Sequence, residues 1–153
     1  MGGGGESRSN PARFVMRHGE DHGVVALSIP AKAEYIVLCR LALAGVARVR
    51  ALEPETVADL KLALTEACSN SIRHAYAQGR TGAVEIRYEL NGEKFQVEVA
   101  DDGSGFDVAA LGEADADPEE GGLGLAIIRA LTDELAIESD GQGSRLRFAK
   151  YLG

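Results

Sequence analysis

Hydrophobic positions along the chain recur with two different periods, which predict two kinds of element. Residues 23–29 form a short β-type run ahead of a proline, and apolar residues over 31–50 recur at helical spacing. A second helical pattern begins near Pro54 and ends at about residue 77. Residues 1–22 are rich in Gly, Ser, Asn and Arg and show no period, so we expect a flexible N-terminal tail there.

The second half of the chain predicts four strands and one further helix. The strands are 84–90, 95–99, 135–138 and 144–150, and the helix runs from about 125 to 134. Asn91-Gly92 is a hairpin turn signal, and strands joined by hairpins pair antiparallel. We therefore expect an α/β fold in one domain, residues 23–153: a two-layer α/β sandwich with helices on one face of a mixed, mainly antiparallel sheet.

Composition and charge narrow the class of protein. The 153 residues carry a formal net charge of −8, and this acidic balance argues against a nucleic-acid surface. No apolar run reaches the roughly 18–20 residues of a membrane helix, and the start lacks the order of a secretory signal. Cys39 and Cys68 have neither zinc spacing nor a disulfide framework, so we expect buried, reduced thiols. A cytoplasmic protein that binds neither membrane nor nucleic acid is expected.

The negative charge is concentrated in one segment. Residues 107–120 contain six acidic residues and no basic one, so the rest of the chain is close to neutral. A run of this kind is typical of a solvated loop, and we expect one between the second hairpin strand and the following helix.

A carboxylate and an amide share one face of the second predicted helix. Glu66 and Asn70 are four residues apart, so their side chains lie one above the other in an otherwise apolar helix. Glu66 could accept a proton from a hydroxyl, and the Asn70 side-chain oxygen is a hard ligand suited to Mg²⁺. The spacing alone equally allows both side chains to face water.

Two glycine-containing motifs follow. Asp101-x-Gly103-x-Gly105 ends a hydrophobic strand, where a carboxylate can accept a hydrogen bond from the amine of a base and glycines allow close backbone approach. An ordinary turn explains this motif as well. Gly121-Gly122-x-Gly124 opens a helix, whose free N–H groups make an anion site. The motif lacks the third glycine of a dinucleotide fingerprint, and the chain has no Walker A sequence.

The order of these motifs resembles that of the Bergerat-type ATPases, the superfamily of gyrase, MutL and the histidine kinases. The chain is more similar still to the anti-sigma-factor serine kinases of the RsbW and SpoIIAB kind, from about residue 23 to the end. The segments that carry the resemblance are residues 29–35, 59–76, 101–107, 121–129, 131–134 and 150–152. The combination is specific, although each motif alone is not.

The resemblance implies a set of roles around ATP and Mg²⁺. Glu66 would be the general base for an acceptor serine, and Asn70 would hold Mg²⁺. Asp101 would bind the adenine amine. The remaining nucleotide-binding positions would be Gly103 and Gly105 at the base and Gly122, Leu123, Gly124 and Leu125 at the phosphates. Arg40 falls where such kinases carry a partner-contacting arginine, although a solvated helix residue is an equal alternative.

This sequence limits the comparison with the family in one respect, the source of positive charge near the phosphates. The segment 107–120 offers no Lys or Arg to a γ-phosphate, so a cation would have to come from Arg129, from a partner or from another subunit. Arg129 is equally well explained as a surface residue. His74 matches a His-Ala-Tyr stretch of the family, where a packed, hydrogen-bonded histidine is expected.

The resemblance implies a regulator with two outputs. Such a protein binds a sigma factor, and it phosphorylates a serine of an anti-anti-sigma protein of the STAS type in a partner-switching pathway of stress or development. A homodimer is implied by the same resemblance. The alternative is a non-catalytic ATP-binding anti-sigma or switch module, which has no need of Glu66 as a base.

Overall fold

Six strands and three α-helices make up the described part of the chain. The computed structural model describes residues 13–18, 23–75, 82–102, 122–140 and 143–152. In chain order the elements are β1 (Arg13–His18), β2 (Gly23–Pro30), a 3-10 turn (Ala33–Tyr35), α1 (Ile36–Val49), α2 (Pro54–Ala75), β3 (Ala83–Leu90), β4 (Lys94–Asp101), α3 (Gly122–Leu131), β5 (Glu134–Asp140) and β6 (Gly143–Tyr151). No helix among these residues is long and apolar enough to cross a bilayer.

The strands form one sheet in the order β1-β2-β3-β4-β6-β5. Every pairing among the described strands is antiparallel, so the predicted mixed character is not found there. The reason lies in the last hairpin: β6 turns back from the edge strand β5 and enters the sheet beside β4. This register places Asp101 between Val84 of β3 and Ser144 of β6.

The hydrophobic core lies between one face of the sheet and the helices. Alternate residues of the central strands are buried, as in Val84, Ile86 and Tyr88 of β3, and the opposite face carries charged side chains. On the helical side the core is built from apolar residues of all three helices, among them Leu43, Leu64 and Ile128. The predicted two-layer sandwich with helices on one face is thereby confirmed.

Both cysteines belong to this core and carry free thiols, as expected. Cys39 of α1 and Cys68 of α2 are fully buried. The hydroxyl of Tyr88 donates to the backbone oxygen of Cys39 at 2.8 Å. A buried tyrosine therefore connects the centre of the sheet to α1.

The prediction of a flexible tail over residues 1–22 is wrong for Arg13–His18, which form β1 and pair with β2. The run Phe14-Val15-Met16 is short, but it adds a strand to an edge whose backbone groups would otherwise be unpaired. The rest of the predicted tail lies outside the described residues.

The last helix also differs from its prediction. It spans Gly122–Leu131 rather than about 125–134, because the glycines expected to precede the helix form its first turn. Glu134 already belongs to β5.

Candidate functional site

A cleft between α2 and α3 holds the first candidate pair of residues. Glu66, Ser69, Asn70 and Arg73 occupy one face of α2, since residues three, four and seven positions apart lie together on a helix. The cleft encloses a cavity of about 130 Å³. Its lining residues are Glu66, Ser69, Asn70, Arg73, Leu123, Gly124 and Ile127. The structure therefore brings the polar pair of α2 and the glycine motif of α3 to one cavity.

Asn70 carries an unsatisfied polar atom at this cavity. The residue is 3% exposed, and within the described part of the chain its Oδ1 has no hydrogen-bond partner. Leaving a buried acceptor unpaired costs about 1–3 kcal/mol. The alternative in which Asn70 faces water is therefore excluded, and a residue that lines the cavity carries a buried acceptor with no partner among the described residues. A hard amide oxygen of this kind fits a magnesium ion.

Glu66 lies against the first turn of α3. A Cβ built on Gly124 would stand 2.9 Å from Glu66 Oε1, a distance that real Cβ atoms essentially never show. Only glycine at position 124 leaves the carboxylate in this place. Glu66 is half-buried, and among the described residues it forms no hydrogen bond or ion pair. Its carboxylate oxygens are thus available to a group bound in the cavity.

Asp101 is held at the end of β4 by two serine hydroxyls. Ser71 Oγ and Ser144 Oγ both donate to Asp101 Oδ2, at 2.5 and 2.6 Å. Distances this short are typical of hydroxyl groups donating to an ionised carboxylate. Ser71 directly follows Asn70 on α2, so the second candidate cluster lies one residue from the first.

Asp101 opens onto a different cavity from Glu66. This second cavity, of about 390 Å³, lies at the ends of β4, β5 and β6. It is lined by Ala100, Asp101, Glu138, Ser139, Gly143, Ser144 and Arg145. The consecutive residues Asn70 and Ser71 connect the two cavities, since one lines the first and the other contacts Asp101.

The other predicted positions are placed as follows. Leu123 is 55% exposed and lines the first cavity, whereas the side chain of Leu125 is buried in the core. Gly122 begins α3, so its N–H and those of the next residues have no partner within that helix. Gly103 and Gly105 lie outside the described residues, as does the side chain of His74.

Arg40 stands away from the cavity, on α1. Its Nη1 donates to Thr65 Oγ1 at 3.4 Å, a long contact, and Thr65 in turn donates to the Lys61 carbonyl at 2.9 Å. Thr65 precedes Glu66, so Arg40 reaches the α2 residue next to the carboxylate.

Several residues of the site were missed by the sequence interpretation. Ser69 and Arg73 share the helical spacing of Glu66 and Asn70, and that spacing could have identified them. Ser71 and Ser144 carry no motif signal, because their contact with Asp101 depends on the sheet register and on how α2 packs against it.

Known proteins resemble this chain over most of its length. The model of the histidine kinase-like ATPase domain matches residues 29–150. The serine-protein kinase RsbW of Bacillus licheniformis is 34% identical over 137 residues, which cover 84% of this chain and 85% of that protein. RsbW of Bacillus subtilis is 33% identical over 147 residues, covering 90% and 89% of the two chains.

Solved structures agree on the fold. The histidine kinase domain of a blue-light activated histidine kinase from Erythrobacter litoralis matches with a TM-score of 0.55 and 26% identity, covering 81% of this chain and 62% of its own. The RsbU and RsbW domains of a Mycobacterium tuberculosis protein match with a TM-score of 0.65 over 84% of this chain and 32% of theirs, and at 20% identity this likeness concerns the fold alone. The resemblance inferred from the motifs is confirmed, and the chain belongs to the histidine kinase-like ATPase domain family and, within it, to the family of the RsbW serine-protein kinases.

Proposed function

We propose that this protein is an ATP-dependent serine kinase that also acts as an anti-sigma factor. It phosphorylates a serine of an anti-anti-sigma protein of the STAS type in a partner-switching pathway, and it binds the sigma factor that this antagonist releases. The similarity to relatives that are named serine-protein kinases covers most of the chain. The observation that carries the proposal is a cavity lined by both Glu66 and Asn70, where Asn70 carries a side-chain oxygen without a partner among the described residues.

The adenine end of the nucleotide binds at Asp101. Because Ser71 and Ser144 both donate to Oδ2, the carboxylate is held as an acceptor in a fixed orientation for the exocyclic amine of the base. Gly103 and Gly105 follow it in sequence and let the backbone approach the flat ring. The phosphates bind at the start of α3, where the N–H groups of Gly122, Leu123, Gly124 and Leu125 supply partial positive charge.

Asn70 is the residue that would hold Mg²⁺, through the buried Oδ1. When bound, the ion neutralises charge on the phosphates during transfer. No three His, Cys, Asp or Glu side chains converge as a metal cage anywhere in the described ranges. This agrees with a magnesium ion, which usually keeps several waters and substrate phosphate oxygens as ligands.

Glu66 acts as the general base. Its carboxylate accepts the proton of the acceptor serine as that hydroxyl oxygen forms a bond to the γ-phosphorus. The bond from the γ-phosphorus to the β–γ bridging oxygen breaks, and its electron pair leaves with ADP. Because Gly124 has no side chain, there is room for the carboxylate beside the phosphate-binding turn, where this proton transfer takes place.

Protein partners bind at a surface that includes Arg40. This arginine is half-buried on α1 and neighbours the exposed apolar side chains Val37 and Leu41, 44% and 63% exposed. A cation beside apolar side chains suits an acidic, partly apolar protein surface. We include in the same proposal that the protein forms a homodimer and is located in the cytoplasm. Size-exclusion chromatography with light scattering measures the molar mass and so tests for the homodimer.

Glu66→Gln tests the kinase assignment. Transfer from labelled ATP to a STAS-type protein should fall by about 10²–10⁴-fold, since the base is lost, while ATP affinity is retained. Glu55→Gln is the matched control, because Glu55 is exposed in the first turn of the same helix. Unchanged transfer in Glu66→Gln would remove Glu66 from the mechanism. ATP binding by the wild-type protein without any transfer would favour the non-catalytic switch module.

A further inference from the structure

The two walls of the cavity at Glu66 differ in chemistry. The wall formed by α2 is polar and charged, with the side chains of Glu66, Ser69, Asn70 and Arg73. The wall formed by α3 carries the apolar side chains of Leu123 and Ile127, which are four residues apart and so lie on one side of the helix. Phosphate oxygens and a magnesium ion gain nothing from an apolar wall, since they need hydrogen-bond donors and hard oxygen ligands. The side chains of the α3 wall therefore suit a different ligand.

Leu123 is the more accessible residue of this apolar wall. Its side chain is exposed, whereas Ile127 is half-buried and Leu125, two residues further along the helix, is buried in the core. An exposed leucine orders water around its surface, and covering it with another apolar group releases that water. Leu123 thus offers an apolar contact at the entrance to the cavity that holds the proposed base.

The acceptor serine must come close to Leu123 if Glu66 is its base. The carboxylate takes the serine proton only at hydrogen-bond distance, about 2.6–3.2 Å. Glu66 Oε1 lies 2.9 Å from the position that a Cβ of residue 124 would occupy, and Leu123 is joined directly to Gly124. Consecutive Cα atoms are about 3.8 Å apart, so the residues that neighbour the acceptor serine lie within side-chain reach of Leu123.

We infer that the side chain of Leu123 binds an apolar side chain next to the acceptor serine of the substrate protein. The inference rests on the proposed function and adds to it a residue that selects the substrate. The occupant is the phosphorylated segment, because the proposed reaction brings that segment to Glu66 in addition to the nucleotide. Leu123 then serves both ligands: its backbone N–H belongs to the proposed phosphate site, and its side chain contacts the protein substrate.

Three variants separate the apolar side chain of Leu123 from its backbone. Leu123→Asn replaces the apolar group by a polar one of similar size and keeps the N–H. Leu123→Met keeps both the apolar character and the volume, so it is the conservative variant. Val49→Asn is the matched control, because Val49 is an exposed apolar residue at the end of α1 and does not line the cavity. Thermal unfolding of each variant checks that the fold is intact.

The test is steady-state phosphoryl transfer from Mg-ATP to a purified STAS-type protein, with KM measured separately for that protein and for ATP. We expect Leu123→Asn to raise the KM for the protein substrate by about 5–30-fold, the effect of losing one apolar contact. The KM for ATP should change far less, because the N–H groups of α3 remain in place. Leu123→Met should restore most of the affinity for the protein substrate, and Val49→Asn should match the wild-type protein.

A second measurement changes the substrate instead of the kinase. Each apolar residue within two positions of the acceptor serine is replaced by Asn in turn. At the position that Leu123 contacts, the substitution should raise the KM for the wild-type kinase and have little further effect on Leu123→Asn, because both changes remove the same contact. Additive effects at every flanking position would show that Leu123 does not contact this segment.

The outcomes separate this inference from the proposed function. If the wild-type protein transfers phosphate and Leu123→Asn keeps the wild-type KM for the protein substrate, the inference is wrong and the kinase proposal stands. An equal rise of both KM values would mean that Leu123 acts on the nucleotide, and a changed molar mass of Leu123→Asn in light scattering would assign the leucine to a second copy of the chain. Either result overturns the inference. Absence of transfer by the wild-type protein overturns the proposed kinase function and the inference with it.

Discussion

The carboxylate of Glu66 occupies space that the absence of a side chain at Gly124 leaves open. The Oε1 atom of Glu66 occupies the space 2.9 Å from where a Cβ of residue 124 would stand. The two residues are 58 positions apart in sequence and belong to α2 and α3, the helices that form the walls of the cavity. The glycine motif therefore leaves room for the carboxylate, in addition to its proposed role in binding phosphates.

Gly124→Ala should impair phosphoryl transfer more than it impairs folding. The added methyl group displaces the Glu66 carboxylate, and small displacements of a reacting group can cost about 10²-fold in rate. Transfer to the antagonist and the melting temperature are measured side by side. Gly45→Ala is the control, since Gly45 lies in α1, where an added methyl group would meet nothing within 4 Å and alanine favours the helix. Equal transfer by both variants would contradict the proposed place of Glu66.

Tyr88→Phe should lower the free energy of unfolding by about 0.5–1.5 kcal/mol at neutral pH, because one buried hydrogen bond to the Cys39 carbonyl is lost. Burial raises the pKa of Tyr88 far above its ordinary value of 10.0, with the neighbouring Cys39 and Cys68 adding to the effect. The folded protein thus keeps this proton while the unfolded chain loses it above about pH 10, so stability falls as the pH rises.

Urea unfolding at neutral pH and at about pH 10.5 measures both effects of Tyr88→Phe. The phenylalanine variant should lose less stability than the wild-type protein between the two pH values, because it lacks the titrating group. Tyr151→Phe is the comparison, since Tyr151 is exposed and its hydroxyl contacts only Glu134 among the described residues. Identical pH dependence of wild-type protein and Tyr88→Phe would show that Tyr88 is not the group responsible.

Much of the fold could be predicted because buried apolar residues recur at regular intervals in its strands and helices. The apolar residues of β3 and β4 alternate, and those of α2 follow helical spacing, so both elements were identified close to their bounds. β1 was missed because its short run has weak alternation, and its stability comes from pairing with β2 rather than from its own sequence. The start of α3 was predicted too late in the sequence, because glycine has a low helix propensity. Packing against α2 stabilises the helix despite this low propensity.

One part of the candidate site could likewise be predicted from local spacing, and the other part could not. Glu66 and Asn70 are close in sequence on one helix, so their spacing predicted that they share a face. The contacts of Ser71 and Ser144 with Asp101 join residues 30 and 43 positions apart. They depend on the register that places β6 beside β4 and on the seating of α2 over the sheet, which no local pattern contains.

Ser71→Ala and Ser144→Ala should each weaken ATP and ADP binding to a similar degree, unlike substitutions at the phosphate end. Each change removes a serine hydroxyl that donates to Asp101 Oδ2 and leaves the carboxylate freer to rotate away from the base. A loss of about 3–10-fold per serine is expected, with the double variant losing more than either, since a hydrogen bond contributes about 0.5–1.5 kcal/mol. Ser28→Ala, on the open face of β2, is the control. Calorimetry with adenine and guanine nucleotides gives the specificity as well as the affinity. Unaltered affinity for ATP in the double variant would mean that Asp101 does not need these hydroxyls to bind the base, because its orientation would then be set by other contacts.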